Sequence, residues 1–189
     1  METRVRTLGS LASLSFSAHL DEVILENGET GKRIRIDHPE ASAVVPLLSD
    51  RRIVMVRQYR YALGMETLEI PAGKVDPGEG PEECARRELL EETGFVAPRL
   101  EFLYTYAPAI GYSNERIHIF IAPDVKRQSD RTDEREIQSV DFVTVQDLVE
   151  GLREGRLLDG KTLIGLCLAG LLEGLGKKAG REEEKKTRR

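Results

Sequence analysis

Six glutamates fall within the 23 residues from Gly73 to Phe95, GKVDPGEGPEECARRELLEETGF, and their spacing constrains the chain more than any other feature. Pro81 suits a first helical position, where its missing N–H has no partner to lose. Gly94 is a C-terminal stop signal. The segment between them is therefore expected to be one short helix. On such a helix Glu88, Glu91 and Glu92 project from neighbouring positions of one face, because they are separated by three and four residues. Like charges at those spacings destabilise a helix by about 0.2–0.5 kcal/mol per pair. A chain that carries them anyway calls for a counter-cation, and clustered carboxylate oxygens suit hard divalent ions such as Mg2+ or Mn2+. Just upstream, Pro71-Ala72-Gly73 offers backbone that a metal or phosphate can approach, and the Ala72 carbonyl can complete a coordination shell. Arg87 lies inside the acidic set, where it can pair with Glu79 or a neighbouring glutamate.

The remainder of the chain supplies a scaffold of mixed type. FSAHLDEVILENG and KRIRIDHP alternate as strands around an N-G-E-T-G turn. ASAVVPLL and RRIVMVRQYR continue the strand pattern, and LEIPAGKVDPGEG reads as a short strand followed by a Gly/Pro loop. LEFLYTYAPA, ERIHIFIAPDV and IQSVDFVTV follow the helix as further strands, and VQDLVEGLREG and KTLIGLCLAGLLEGL read as helices. The expected class is α+β, divided into an N-terminal β extension over 1–45, a main domain over 46–175 and a charged tail over 176–189. Net charge is −5, so no global basic field marks a nucleic-acid binder. No run approaches 18 apolar residues, so no membrane partner is expected. Cys84 and Cys167 stand far apart, which favours a reducing cytoplasm over a disulfide scaffold.

The fixed positions of the acidic segment read G-x5-E-x7-R-E-L-x-E-E-x-G-F: Gly73, Glu79, Arg87, Glu88, Leu89, Glu91, Glu92, Gly94 and Phe95. At every defined position this resembles the signature of the Nudix hydrolases. The resemblance implies a Nudix-type α/β/α sandwich with a mixed sheet, here preceded by an N-terminal antiparallel β extension. It also implies hydrolysis of a nucleoside diphosphate linked to another moiety, with Mg2+ as the expected cofactor and Mn2+ as its alternative. Carried over by position, Glu88 and Glu92 are the principal metal ligands, Glu91 assists them and the catalysis, and the Ala72 carbonyl adds a ligand. Gly73, Glu79 and Arg87 would support these ligands.

Outside that segment, VRQYRYALGMETLEIPAGKVDPGE resembles the ADP-ribose pyrophosphatase branch. The resemblance implies that Arg60 contacts the substrate's phosphate or ribose and that Glu69 borders the pocket. GYSNERIHIFIA resembles a further stretch of that branch and brings in Gly111, Ser113 and Glu115 as substrate-binding candidates; His118 is expected to be a hydrogen-bonded imidazole. The N-terminal hairpin, with Arg33 and Arg35 as sources of charge, resembles the part these enzymes exchange across a homodimer. Without Trp, base stacking would fall to Phe16, another Phe or a Tyr. One departure is Ile110, which stands where the branch commonly has a proline; the nearest is Pro108. In Asp133-Glu134-Arg135-Glu136-Ile137, Glu134 is the favoured base for the attacking water and Glu136 the alternate.

The expected reaction is Mg2+-dependent hydrolysis of the pyrophosphate bond of ADP-ribose to AMP and ribose 5-phosphate. The substrate partner would be a small-molecule nucleoside diphosphate sugar. Two alternatives stand beside it: a hydrolase of another such sugar (ADP-glucose or GDP-mannose), and a non-catalytic nucleotide-binding module of the same fold. Intact carboxylates in the acidic segment favour an enzyme over the module.

Overall fold

Three antiparallel strands open the chain: β1 (Thr3–Ala12), β2 (Ser17–Ile24) and β3 (Thr30–Asp37). The computed structural model describes residues 1–129 and 136–172. β1 lies outside the strand pattern read from the sequence. All ten of its positions are exposed, so its side chains carry no inward-facing periodicity, and its order comes from backbone pairing to β2. This sheet meets the rest of the molecule where the Ile36 N–H donates to the Tyr112 carbonyl at 2.7 Å and the Asn114 N–H to the Ile36 carbonyl at 3.2 Å.

Nine strands and three helices follow among the described residues: β4 (Ala41–Pro46), β5 (Ile53–Arg60), β6 (Met65–Glu69), β7 (Ala72–Lys74), α1 (Pro81–Thr93), β8 (Phe95–Val96), β9 (Glu101–Tyr106), β10 (Ile117–Ala122), β11 (Lys126–Arg127), β12 (Ile137–Val143), α2 (Val145–Arg153) and α3 (Gly160–Leu168). The expected division after residue 45 falls within β4, whose ladder partners are β10 and β7; the three-stranded extension ends at Asp37.

A four-stranded mixed sheet has the order β7-β4-β10-β9, with β4 and β10 parallel and the outer pairs antiparallel. A second, antiparallel sheet has the order β12-β5-β6. Every residue of β4 is buried, as befits a strand covered on both faces. Alternation along the strands divides the core in two. Ala43, Val45, Ile53, Met55, Ile119 and Leu166 pack on the side of α2 and α3. Val44, Val54, Ala85, Leu89 and Phe120 pack on the side of α1. Each fully buried side chain of this kind contributes about 1.5–3 kcal/mol. The layers are helix, sheet, helix, and the acidic helix α1 is pinned to one face of the central strands.

Candidate active site

α1 forms as the sequence predicts. The Gly80 N–H donates to Glu83 Oε2 at 2.8 Å, Pro81 opens the first turn, and Gly94 closes the helix in the left-handed region at φ 75°. Its inner face buries Cys84, Ala85 and Leu89, but also Glu88 and Glu92, each only 6% exposed. Buried carboxylates need partners, since desolvating a lone charge is costly. Glu92 Oε2 accepts the Ala72 N–H at 2.9 Å, which ties the helix to β7. Glu88 Oε1 accepts from Arg87 Nη1 at 2.7 Å, and the same nitrogen reaches Glu91 Oε2 at 3.0 Å.

Arg87 organises the acidic face. Its Nε and Nη2 donate to the two oxygens of Glu79 at 2.8 and 2.9 Å, and Nη2 also donates to the Lys74 carbonyl at 3.0 Å. This bidentate pair is the one considered from sequence. It holds the Glu79 carboxyl down at about 2, helped by the Asp76 N–H. Glu79 in turn, with Glu88 and Glu91, pushes the guanidinium's pKa up. Burial, with the charges of Glu88 and Glu79, pushes the Cys84 thiol up to about 12, so that cysteine is an inert packing group.

Gly73 faces Glu88 directly. A Cβ added there would lie 1.9 Å from Glu88 Oε1, so any side chain would displace the carboxylate. Three glutamates, 79, 88 and 91, thus share one guanidinium, and a fourth, Glu92, is held by the Ala72 N–H beside the bare backbone of Gly73. The donors are all hard oxygens and the negative charge is in excess, which fits a divalent ion such as Mg2+. Among the described residues no three acidic, cysteine or histidine side chains converge as a ready cage; Arg87 Nη1 stands between Glu88 and Glu91. An ion joining those two carboxylates would have to displace that nitrogen.

A second charged network lies on the other side of the Ile70–Lys74 stretch. Arg60 donates through Nε and Nη2 to the two oxygens of Glu69, each at 2.7 Å, and Thr67 Oγ1 adds a bond at 2.6 Å. Lys161, from the first turn of α3, completes the shell of Glu69 and lies 3.1 Å from Asp159 Oδ2. Burial alone would raise the Glu69 carboxyl, but Arg60, Lys161 and Thr67 outweigh it and hold it at about 2. Asp159 caps α3 through the Thr162 N–H at 3.0 Å, and Thr162 Oγ1 accepts the Ile70 N–H at 2.9 Å. The first turn of α3 is therefore fastened two residues before Ala72. Sequence reading picked out Arg60 and Glu69 but missed Lys161 and Asp159. The only signal was the N-cap pattern D-x-x-T, which looks like an ordinary helix start.

The other candidates are distributed unevenly. Ser113 pairs with Ile36 across a bridge, and its Oγ accepts the Glu115 N–H at 3.2 Å. Glu115 Oε1 lies 3.5 Å from His38 Nδ1, and His38 stacks on Phe16 with ring centroids 5.7 Å apart. Gly111 is exposed in the same loop. Arg33 and Arg35 are engaged within the extension, Arg33 with Glu2 and Arg35 with Asp21 and Asp37, and neither is hydrogen-bonded to an α1 carboxylate. His118 sits between Thr105 Oγ1 at 2.8 Å and Glu40 Oε2 at 3.0 Å, a hydrogen-bonded imidazole as expected. Glu136 is exposed just before β12, and Glu134 lies outside the described residues.

A family profile for the NUDIX domain matches residues 37–163, from the end of β3 into α3. A "Methanol dehydrogenase activator" of Bacillus methanolicus is 35% identical over 92% of this chain and 95% of its own length. An "ADP-ribose pyrophosphatase" of Bacillus subtilis (strain 168) is 35% identical over 83% of this chain and 86% of its own. A solved structure titled "Crystal structure of ADP compounds hydrolase" superposes with a TM-score of 0.74 at 27% identity, covering 90% of this chain and 95% of that one. With the box residues carried on β7, the following loop and α1, and the profile spanning most of the chain, this protein belongs to the Nudix family and is a Nudix pyrophosphohydrolase.

Proposed function

We propose that the protein hydrolyses the pyrophosphate bond of ADP-ribose, with Mg2+, to AMP and ribose 5-phosphate. The observation that carries this reading is the pair of buried glutamates, Glu88 against Gly73, where there is no room for a side chain, and Glu92 bonded to the Ala72 N–H. Glu88, Glu91, Glu92 and the Ala72 carbonyl would hold the metal. When bound, the ion would neutralise charge on the diphosphate and acidify the attacking water. Arg87 holds Glu79 and steadies the acidic face from the loop side. Arg60, locked to Glu69, presents a fixed cation to a phosphate or ribose oxygen. Glu134, with Glu136 as the alternate, takes the proton of the water that attacks one phosphorus in line; the leaving phosphate departs with the other half of the substrate.

The ADP-ribose pyrophosphatase relative supports this substrate. Ile110 in place of the branch proline favours a second reading in which the sugar is another one, as in ADP-glucose or GDP-mannose. Homodimerisation through the extension fits its exposed apolar residues Val5, Leu11 and Ile34. Two free cysteines fit a cytoplasmic location.

The test is incubation with ADP-ribose and Mg2+, followed by separation of AMP, alongside ADP-glucose and GDP-mannose. Glu92→Gln should keep the fold by circular dichroism and lose about a thousandfold in turnover, because a charged metal ligand becomes neutral. Undiminished turnover in that variant would sink the metal assignment.

A further inference from the structure

Two cavities meet at the first turn of α3. The larger, about 520 Å³, is lined by Tyr106, Pro108, Glu115, Asp159, Lys161 and Ile164. The other, about 300 Å³, is lined by Arg60, Leu63, Thr67, Glu69, Leu158 and Lys161. Asp159, Gly160 and Lys161 are common to both and form the wall between them.

Lys161 is an unusual wall residue. It is 8% exposed, although lysine is almost never buried without a reason. Its ammonium carries three N–H donors. Glu69 takes one of them and Asp159 lies within ion-pair distance, which leaves at least one N–H that no hydrogen bond among the described residues uses. Charge in this network is balanced: Arg60 and Lys161 face Glu69 and Asp159. Lys161, whose charge is already met by Glu69 and Asp159, suits a neutral group rich in hydrogen-bonding oxygens. The larger cavity carries complementary groups. Glu115 and Asp159 accept from hydroxyls, and Tyr106, whose pKa burial and those two carboxylates push up, remains a phenol that can donate.

We propose that Lys161 is a specificity-determining residue that donates its remaining N–H to a hydroxyl oxygen of the sugar beyond the diphosphate, with Tyr106, Glu115 and Asp159 engaging the neighbouring hydroxyls. The proposal rests on the nucleoside diphosphate sugar reading above and adds to it the side of the enzyme on which the sugar lies. Thr162, bonded to Ile70, holds this wall in register with the Ala72 loop, so sugar and diphosphate are read by one rigid unit.

The experiment compares ADP-ribose with an ADP ester of a short alkyl alcohol, which has the same diphosphate and no sugar hydroxyls. Steady-state constants are measured with Mg2+ for wild type, Lys161→Met and Tyr106→Phe; thermal melting verifies that each variant is folded. The expected result is that the ratio of kcat/KM for ADP-ribose to that for the alkyl ester falls at least tenfold in Lys161→Met and about threefold in Tyr106→Phe, through KM and not kcat. Lys161→Arg, which keeps a donor, should recover part of the ratio. Equal losses on both esters would mean a purely structural role and would overturn the proposal, as would an unchanged ratio. If wild type cleaves the alkyl ester but not ADP-ribose, the sugar assignment falls while the hydrolase stands. If it cleaves neither, both readings fall together.

Discussion

The two charged networks on either side of Ile70–Lys74 use the same residue types toward opposite ends. Around Arg87, three glutamates share one guanidinium, and the excess negative charge sits against backbone at Gly73. Around Glu69, two cations meet two carboxylates, and the charges cancel. The first is unfinished without a cation; the second is already neutral and fixes geometry. Counting ion pairs would treat them alike, whereas their net charge separates an acidic platform suited to a cation from a neutral brace.

This contrast can be broken at its most sensitive point by Gly73→Ala. The new Cβ would start 1.9 Å from Glu88 Oε1 and push that carboxylate away. Mg2+ affinity by calorimetry should fall about 10–100-fold, as when a metal ligand loses its support. Binding like wild type would mean that Glu88 is not a ligand. The balanced network should respond in stability rather than in metal affinity. Glu69 is held at about 2, below its ordinary value of 4.5, so its contribution is complete above pH 4.5 and disappears as pH falls through about 2. That contribution is on the order of 3 kcal/mol. Denaturant melts of Glu69→Gln should therefore show a shallower loss of stability between pH 4.5 and 2 than wild type; a parallel profile would contradict the assignment. The smallest effect belongs to Arg86 on the outer face of α1, which pairs with Glu82 at 2.8 Å where both side chains are largely exposed. Arg86→Ala should cost no more than about 1 kcal/mol in a urea melt and leave Mg2+ affinity untouched. Arg86 Nη1 also donates to the Ala97 carbonyl at 2.9 Å, so a larger cost with Mg2+ affinity unchanged would assign that bond, and a changed Mg2+ affinity would contradict the contrast.

How far the sequence discloses each network follows from the same physics. The Arg87 set is legible because its carboxylates lie on consecutive turns of one helix, where spacing alone puts Glu88, Glu91 and Glu92 on a common face. Lys161 was not legible. It reaches Glu69 from 92 residues away, and a lysine in a first helical turn ordinarily lies in solvent. β7 was hidden within a Gly/Pro loop because its pairing to β4 runs through the backbone of Ala72, Gly73 and Lys74. β1 escaped detection because no buried face marks it. Resemblance singles out Arg60 and Glu69 one by one, but not the bidentate lock between them.

The bond from the Ile70 N–H to Thr162 Oγ1 joins positions 92 apart in the chain. While the polypeptide emerges N-terminus first, α1 and its glutamates are synthesised long before the residue that anchors the loop beside them. The box can be helical early, yet the strand end that feeds Ala72 toward Glu92 gains its last anchor only when α3 arrives. A nascent chain ending before residue 160 would thus carry a complete signature without this brace.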